Sequence, residues 1–203
     1  MMDRRALLKI TAAGMAIAAV TQPTLAQIEL TVEEVLFDPQ IPVLGNPAGD
    51  VTIAEYFDFQ CPFCKRGHKD LIDLVREDGN IRLVMKDWPI FGGASLHASS
   101  LVLAAGDDYE KALNAVMATP GRLGREEVDA VLANAGLDPK ALLSAFEKDA
   151  DRIDGILARN MDQANAFGFG GTPAFLINTR IHHGAMDQQM LREAIAAARE
   201  SRT

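Results

Sequence analysis

The sequence predicts an α/β protein in which a βαβ unit is followed by a block of helices and closed by a ββα unit. Two short apolar runs, 51–57 and 81–85, bracket a helix-period segment that opens at Pro62. Strands joined through a helix in this way lie parallel in one sheet. Residues 95–167 carry helix-period apolar positions almost throughout, and a second strand pair follows them.

The first 26 residues are set apart from the fold. Arg4, Arg5 and Lys9 make a basic start, residues 10–20 are apolar but short for a membrane span, and Thr24-Leu25-Ala26 offers small residues for a signal peptidase. We therefore expect an export signal at 1–26, cleaved before Gln27, with an uncleaved anchor as the alternative. The segment Asp3-Arg4-Arg5-Ala6-Leu7-Leu8-Lys9 resembles a twin-arginine signal, although Asp3 and Leu7 stand where that signal usually has Ser or Thr and Phe.

The remainder, 27–203, reads as one domain. A short amphipathic helix is expected over 28–36, then breakers at residues 38–42 and 45–47 lead into the strand at 51–57. The helix from Pro62 uses the fixed φ of proline at its first turn and ends at Asp78-Gly79-Asn80. Helices are expected at 96–105, 109–118, 126–135, 139–148 and 153–167, an insertion spanning about 92–167. A strand at 174–177 turns through Asn178-Thr179-Arg180 into a partner at 181–182, and Asp187 caps the last helix, to about residue 200.

The chain has 203 residues, of which 48% are hydrophobic and 24% charged, as in ordinary globular proteins. Its net charge of −8, without a basic cluster, argues against nucleic acid as a partner. Cysteine numbers only 2, Cys61 and Cys64, in the tetrapeptide Cys61-Pro62-Phe63-Cys64. A disulfide between them closes almost no loop and would constrain the unfolded chain little, so chemistry explains the pair better than stability does.

Cys61 falls between a strand end and the first turn of a helix. Free amide N–H groups and the helix dipole there favour a thiolate, the reactive form. Cys64, one turn on, lies on the same side of the helix and deeper. This assigns Cys61 as the attacking thiolate and Cys64 as the resolving thiol, with exchange through a mixed disulfide. The alternatives are half of a zinc or copper site, which needs further ligands from His68, His97, His182 or His183, and a purely structural disulfide. Glu55 lies six residues before Cys61 in the delivering strand; it is either a buried carboxylate able to relay a proton for Cys64 or an outward-facing strand residue. Thr172-Pro173 enters a strand, where a trans proline is the ordinary expectation. His68 reads as a core histidine. His183 either lines a substrate groove or sits in an exposed turn. The 8 methionines show no copper-binding spacing.

These residues resemble the DsbA family of bacterial periplasmic thiol oxidoreductases, on the branch near the suppressor-of-copper-sensitivity protein C. The likeness rests on the lead Gly45-Asn46-Pro47-Ala48-Gly49-Asp50-Val51, the segment Asp58-Phe59-Gln60-Cys61-Pro62-Phe63-Cys64-Lys65-Arg66, the offset of Glu55, the helical insertion and the Thr-Pro strand, and covers about residues 37–200. The resemblance implies a thioredoxin-like core with an all-helical insertion, a periplasmic location, and Cys61, Cys64 and Glu55 as catalytic residues. It implies a cis Thr172–Pro173 bond packed on the cysteines, with Pro62, Phe63, Thr172, Pro173 and His183 bordering the substrate and the Thr172 backbone hydrogen-bonding an extended peptide. No cofactor beyond the Cys61–Cys64 disulfide is implied. Expected partners are cysteine-containing exported proteins and a membrane redox partner, DsbB-like or DsbD-like. Phe63 departs from the family's best-known oxidases, which have His there; its side chain gives the Cys61 sulfur neither charge nor hydrogen bond. No sizeable dimerisation segment of the isomerase kind precedes the core. Dithiol oxidation is therefore the expected activity, with isomerisation or reduction as the alternative.

Overall fold

The computed structural model describes residues 30–201; the expected export signal and its cleavage point before Gln27 lie outside the described residues. Strands β1 (Val43–Gly45), β2 (Val51–Phe57), β3 (Ile81–Asp87), β4 (Ala174–Ile177) and β5 (Arg180–His183) form one sheet in the order β1-β3-β2-β4-β5. The central pair β2 and β3 is parallel, in register from Val51 opposite Ile81 to Phe57 opposite Asp87, and the other pairs are antiparallel. Every residue of β2 and β3 is buried, which is why both read as continuous rather than alternating apolar runs.

Helix α2 (Pro62–Asp78) connects β2 to β3 and packs with α8 (Gln188–Glu200) on one face of the sheet. It stops at Gly79, whose left-handed φ of 69° lets its N–H bond back to Val75 O. The opposite face carries α1 (Val32–Leu36) and α7 (Ala150–Ala166). There the Tyr56 hydroxyl (2.8 Å) and the fully buried Lys86 ammonium (3.2 Å) both donate to Gln163 Oε1, while Gln163 Nε2 donates to Glu34 O. Helices α3 (Gly93–Leu103), α4 (Tyr109–Met117), α5 (Arg125–Asn134), α6 (Pro139–Lys148) and α7 lie between β3 and β4 as the predicted insertion.

The α/β class, the parallel pair and the insertion are those the sequence predicts. Local differences have physical causes. The sequence reading missed β1: Val43–Gly45 is three residues long, sits between breakers, and becomes a strand by pairing antiparallel with the outer edge of β3. There Gly45 adopts φ +70°, and a Cβ would fall 2.5 Å from Ile81 O. Strand β3 continues through Lys86 and Asp87 because both charged side chains are buried by neighbouring helices, which an apolar pattern cannot show. The first helix covers only Val32–Leu36 of the expected 28–36 within the described residues, held by a reciprocal capping box of Thr31 and Glu34.

Arg199 ties α8 to the ends of β2 and α2. It donates to both carboxylate oxygens of Asp50 at 2.9 Å and of Asp78 at 2.7 and 2.9 Å. The Arg199 side chain is 35% exposed, so screening reduces what the fork contributes. Arg199→Ala should cost about 1 kcal/mol and lower the melting temperature by about 2–4 °C near pH 7. Hydrogen bonding to Arg199 holds the Asp78 carboxyl below its ordinary value. The contribution is therefore present above the unfolded carboxylate range and lost as pH falls through the folded value. Melting curves of the two proteins should converge in acid; a difference that persists at about pH 2 would contradict this account.

Candidate active site

The turn between β2 and α2 is fixed from below by a buried carboxylate. Asp58 accepts hydrogen bonds from the Gln60 amide (2.6 Å), the Phe91 amide (3.0 Å) and the Ser95 hydroxyl (2.7 Å), and its carbonyl accepts from the Cys61 amide at 3.0 Å. Gln60 Oε1 accepts from Leu123 N at 2.7 Å, which locks the same turn to the helical insertion. Cys61 thereby becomes the N-cap of α2, with Pro62 as the first helical residue.

Both cysteines are free and buried. Cys61 Sγ accepts from the Cys64 amide at 3.5 Å and its thiol can donate to Thr172 O at 3.2 Å. The Cys61 pKa is lowered to about 5. The largest cause is a hydrogen bond from the Cys64 thiol; the Thr172 hydroxyl and the amides of Cys64 and Phe63 add to it, and burial opposes them. The Thr172 hydroxyl is buried without a partner in the present geometry, where Sγ instead meets the Thr172 carbonyl. A thiol suits the carbonyl and a thiolate suits the hydroxyl, so Thr172 can serve both protonation states.

Cys64 is shifted the opposite way, far above an ordinary thiol, by burial first, then by its bond to Cys61 and the neighbouring Glu55 charge. Glu55 is 2% exposed, so the outward-facing alternative is ruled out. Burial, reinforced by the Cys61 thiolate, pushes its carboxyl up to about 8. Its Oε2 has no protein partner and borders a cavity of about 20 Å³, lined also by Gly67, Leu71 and Pro173. That volume has room for one water.

The other expected site residues divide into two groups. Thr172–Pro173 is cis, and this loop packs against Cys61. Pro62 and Phe63 are exposed beside the thiol; Phe63 is 54% exposed with the Arg66 guanidinium 4.4 Å from its ring centre. The Phe63 side chain gives the sulfur nothing, as expected, but its amide does lower the Cys61 pKa. His183 is exposed at the end of β5, opposite Ala174 and edge-on to Phe169 at 5.5 Å. It borders the Pro173 strand without meeting either cysteine. His68 is buried and bonds Asn114 Oδ1 at 2.7 Å through Nε2, while its Nδ1 lacks a partner. Among the described residues no group of three or more His, Cys, Asp or Glu side chains could hold a metal ion.

Several polar groups around the site escaped the sequence reading. Asp58 and Gln60 stand in the sequence only as flanks of the cysteine pair. Asp87, at the end of β3, is 1% exposed and pushed by burial up to about 8; Tyr109, on α4, is buried with an unpartnered hydroxyl. A strand-terminal Asp ordinarily reads as solvated, and only the helices packed over this strand end make it otherwise.

A family model described as Thioredoxin matches residues 38–197. Among solved structures, a thioredoxin-like oxidoreductase from Silicibacter pomeroyi DSS-3 is 36% identical, with a TM-score of 0.80 over 84% of this chain and 99% of that one. The thiol-disulfide exchange protein α-DsbA2 from Wolbachia pipientis is 27% identical, with a TM-score of 0.75 over 81% of this chain and 90% of that one. The catalytic domain of Proteus mirabilis ScsC, at 22% identity, shares the fold, with a TM-score of 0.72 over 82% of this chain and 93% of that one. Among curated proteins, the Na(+)/H(+) antiporter NhaA 1 of Salinispora arenicola is 29% identical over 189 residues, which are 85% of this chain but 28% of the antiporter. The NhaA antiporter of Herminiimonas arsenicoxydans is 26% identical over 80% of this chain and 26% of its own length. The chain thus spans about a quarter of the length of these curated relatives.

Proposed function

We propose, from the premise that this chain belongs to the thioredoxin family and has a DsbA-like thiol–disulfide oxidoreductase fold, that it is an exported dithiol oxidase acting on cysteines of exported proteins. The observation that carries this reading is the opposite shift of the two thiols: Cys61 lowered to about 5, Cys64 raised far above the ordinary range. A site that stabilises the Cys61 thiolate stabilises the reduced form, which makes the disulfide form a stronger oxidant.

The steps are those of thiol exchange. A substrate thiolate attacks Cys61 Sγ of the Cys61–Cys64 disulfide; a substrate–Cys61 bond forms and the Cys64 sulfur leaves with the electron pair. Glu55, protonated up to about pH 8 and near enough to Cys64 for its charge to raise that thiol's pKa, supplies the proton that Cys64 takes up. A second substrate thiolate then attacks the substrate sulfur, Cys61 leaves as a thiolate, and the substrate ends with a disulfide. Two electrons now reside on Cys61 and Cys64, and a membrane redox partner, DsbB-like for an oxidase, removes them. The disulfide is the redox group, with no further cofactor. Thr172 and Pro173 form the edge along which an extended substrate lies, and Pro62, Phe63 and His183 border it. The location that suits this work is the periplasm, reached through the signal at residues 1–26 and cleavage before Gln27. The match to NhaA antiporters covers only a quarter of each and brings no transport function with it.

Reduction or isomerisation, drawing electrons from a DsbD-like partner, is the second reading; Phe63 favours it, since its side chain leaves the thiolate to the Cys64 thiol, the Thr172 side chain and main-chain amides. Equilibration with glutathione decides between them. We expect a potential above about −270 mV, the thioredoxin value, together with oxidation of a reduced peptide without air. A potential at or below that value, with fast insulin reduction and no peptide oxidation, would make the protein an exported reductase.

A further inference from the structure

A groove of about 730 Å³ runs along α2 on the side away from Pro173. Lys65, Lys69, Ile72 and Arg76 face it, whereas Phe63, Gly67 and Leu71 face the cavity beside Pro173. Residues 63 and 65 are about 200° apart around a helix, so these are opposite sides of the same active-site helix. The far wall comes from the insertion, at the end of α4 and the turn Thr119-Pro120-Gly121. Its floor is apolar, with Pro62, Ile72, Met117 and Pro120, and Pro62 places its upper end directly beside Cys61.

The rim is cationic in a chain whose net charge is −8. Lower down, Lys69 pairs with Asp73 and Arg76 with Glu110. At the end nearest Cys61, among the described residues neither Lys65 nor Arg66 forms an ion pair: the Asp58 charge acts on Lys65 only from beyond contact, and the Arg66 guanidinium lies over the Phe63 ring at 4.4 Å. The half-buried Lys65 ammonium donates to neutral acceptors, Thr119 Oγ1 at 2.9 Å and Gly121 O at 2.5 Å. A half-buried cation whose hydrogen-bond acceptors are all neutral gains a charge-assisted bond from an incoming carboxylate. From Pro62 to Arg76 the helix rises about 20 Å, which an extended chain covers in about six residues.

We propose that this groove is a second substrate subsite, which takes an acidic flank of the reacting protein, with a carboxylate at Lys65 and Arg66 and an apolar side chain on Ile72 and Met117. The assignment rests on the thiol-exchange reading and adds a charge preference to it. The Thr172–Pro173 edge binds backbone whatever the sequence, whereas this groove discriminates by side-chain charge.

The test uses two peptides with the same central cysteine pair, one flanked by Glu and Leu and the other by Lys and Leu, plus versions with Ser in place of Cys. The acidic Ser peptide should bind wild-type protein about tenfold more tightly than the basic one at low ionic strength, and the difference should shrink with salt. The acidic cysteine peptide should react faster by a similar factor, with each protein's rate toward dithiothreitol as its reference. The double variant Lys65→Glu/Arg66→Glu should reverse the preference. Ala118→Trp, at the exposed end of α4, should close the groove and remove the preference without a charge change. Equal binding of the two Ser peptides to wild-type protein, or an unchanged preference in both variants, overturns the subsite. A wild-type protein inert toward dithiothreitol overturns instead the exchange reading, and the Ser peptides still report on the groove.

Discussion

Cys61→Ser is expected to reduce thiol exchange to the uncatalysed background, while Cys64→Ser keeps the first step and accumulates mixed disulfides with substrate proteins. The asymmetry follows from the two thiols' environments. Cys61, with a pKa of about 5, is a thiolate at neutral pH, held by the Cys64 thiol, the Thr172 hydroxyl and two amides. Cys64 stays protonated, buried against Glu55. Alkylation of the reduced wild-type protein should therefore modify Cys61 alone, at a rate that is flat near pH 7 and halves at about pH 5. The same shift governs the potential. Between roughly pH 5 and 7 the reduced protein takes up one proton for two electrons, so the potential should fall by about 30 mV per pH unit, steepening to about 59 mV below that range. Faster labelling of Cys64 would reverse the assignment, and a steep slope throughout would show that Cys61 is an ordinary thiol.

Glu55→Gln should make the protein more stable and a worse catalyst. Burial first, then the Cys61 thiolate, raises this carboxyl from 4.5 to about 8. In the unfolded chain it releases its proton at the ordinary value, while the folded chain retains it, so the unfolded state binds fewer protons across that window. Stability therefore falls as pH rises from the unfolded value to the folded one, and is level beyond it. Near pH 8 the cost is about 4 kcal/mol. Glutamine does not ionise, but its buried amide, left without partners, costs about 1–3 kcal/mol, for a net gain of about 1–3 kcal/mol. Melting temperatures should favour the variant near pH 8 and lose that advantage near pH 4.5. Exchange should meanwhile slow by on the order of a hundredfold, because Cys64 loses its proton donor and acceptor. Equal rates for the two proteins across pH 6 to 8 would remove Glu55 from the mechanism, whatever the stabilities.

The parts of the fold legible in the sequence were those written in local pattern. Buried strands β2, β3 and β4 are largely apolar runs, and α2 starts at a proline and stops at a glycine, so their existence needs no distant information. The edge strand β1 was not legible, because its hydrogen bonds come wholly from β3, almost forty residues away.

The sequence by itself determined the reacting pair: two cysteines one helical turn apart, at a strand-to-helix junction, with a carboxylate six residues upstream. Spacing along a strand and a helix sets those relations before anything packs. It did not determine which groups tune the pair. Thr172 lies 111 residues from Cys61, yet its carbonyl meets that sulfur and its side chain lowers the thiol's pKa. Asp58 and Gln60 are fixed by Phe91, Ser95 and Leu123 from other elements. Asp87 reads as a solvated strand end until the insertion buries it. Hydrogen bonding and desolvation depend on which atoms arrive within a few ångströms, and that is decided only when the insertion and the Thr172–Pro173 loop close over the end of β2.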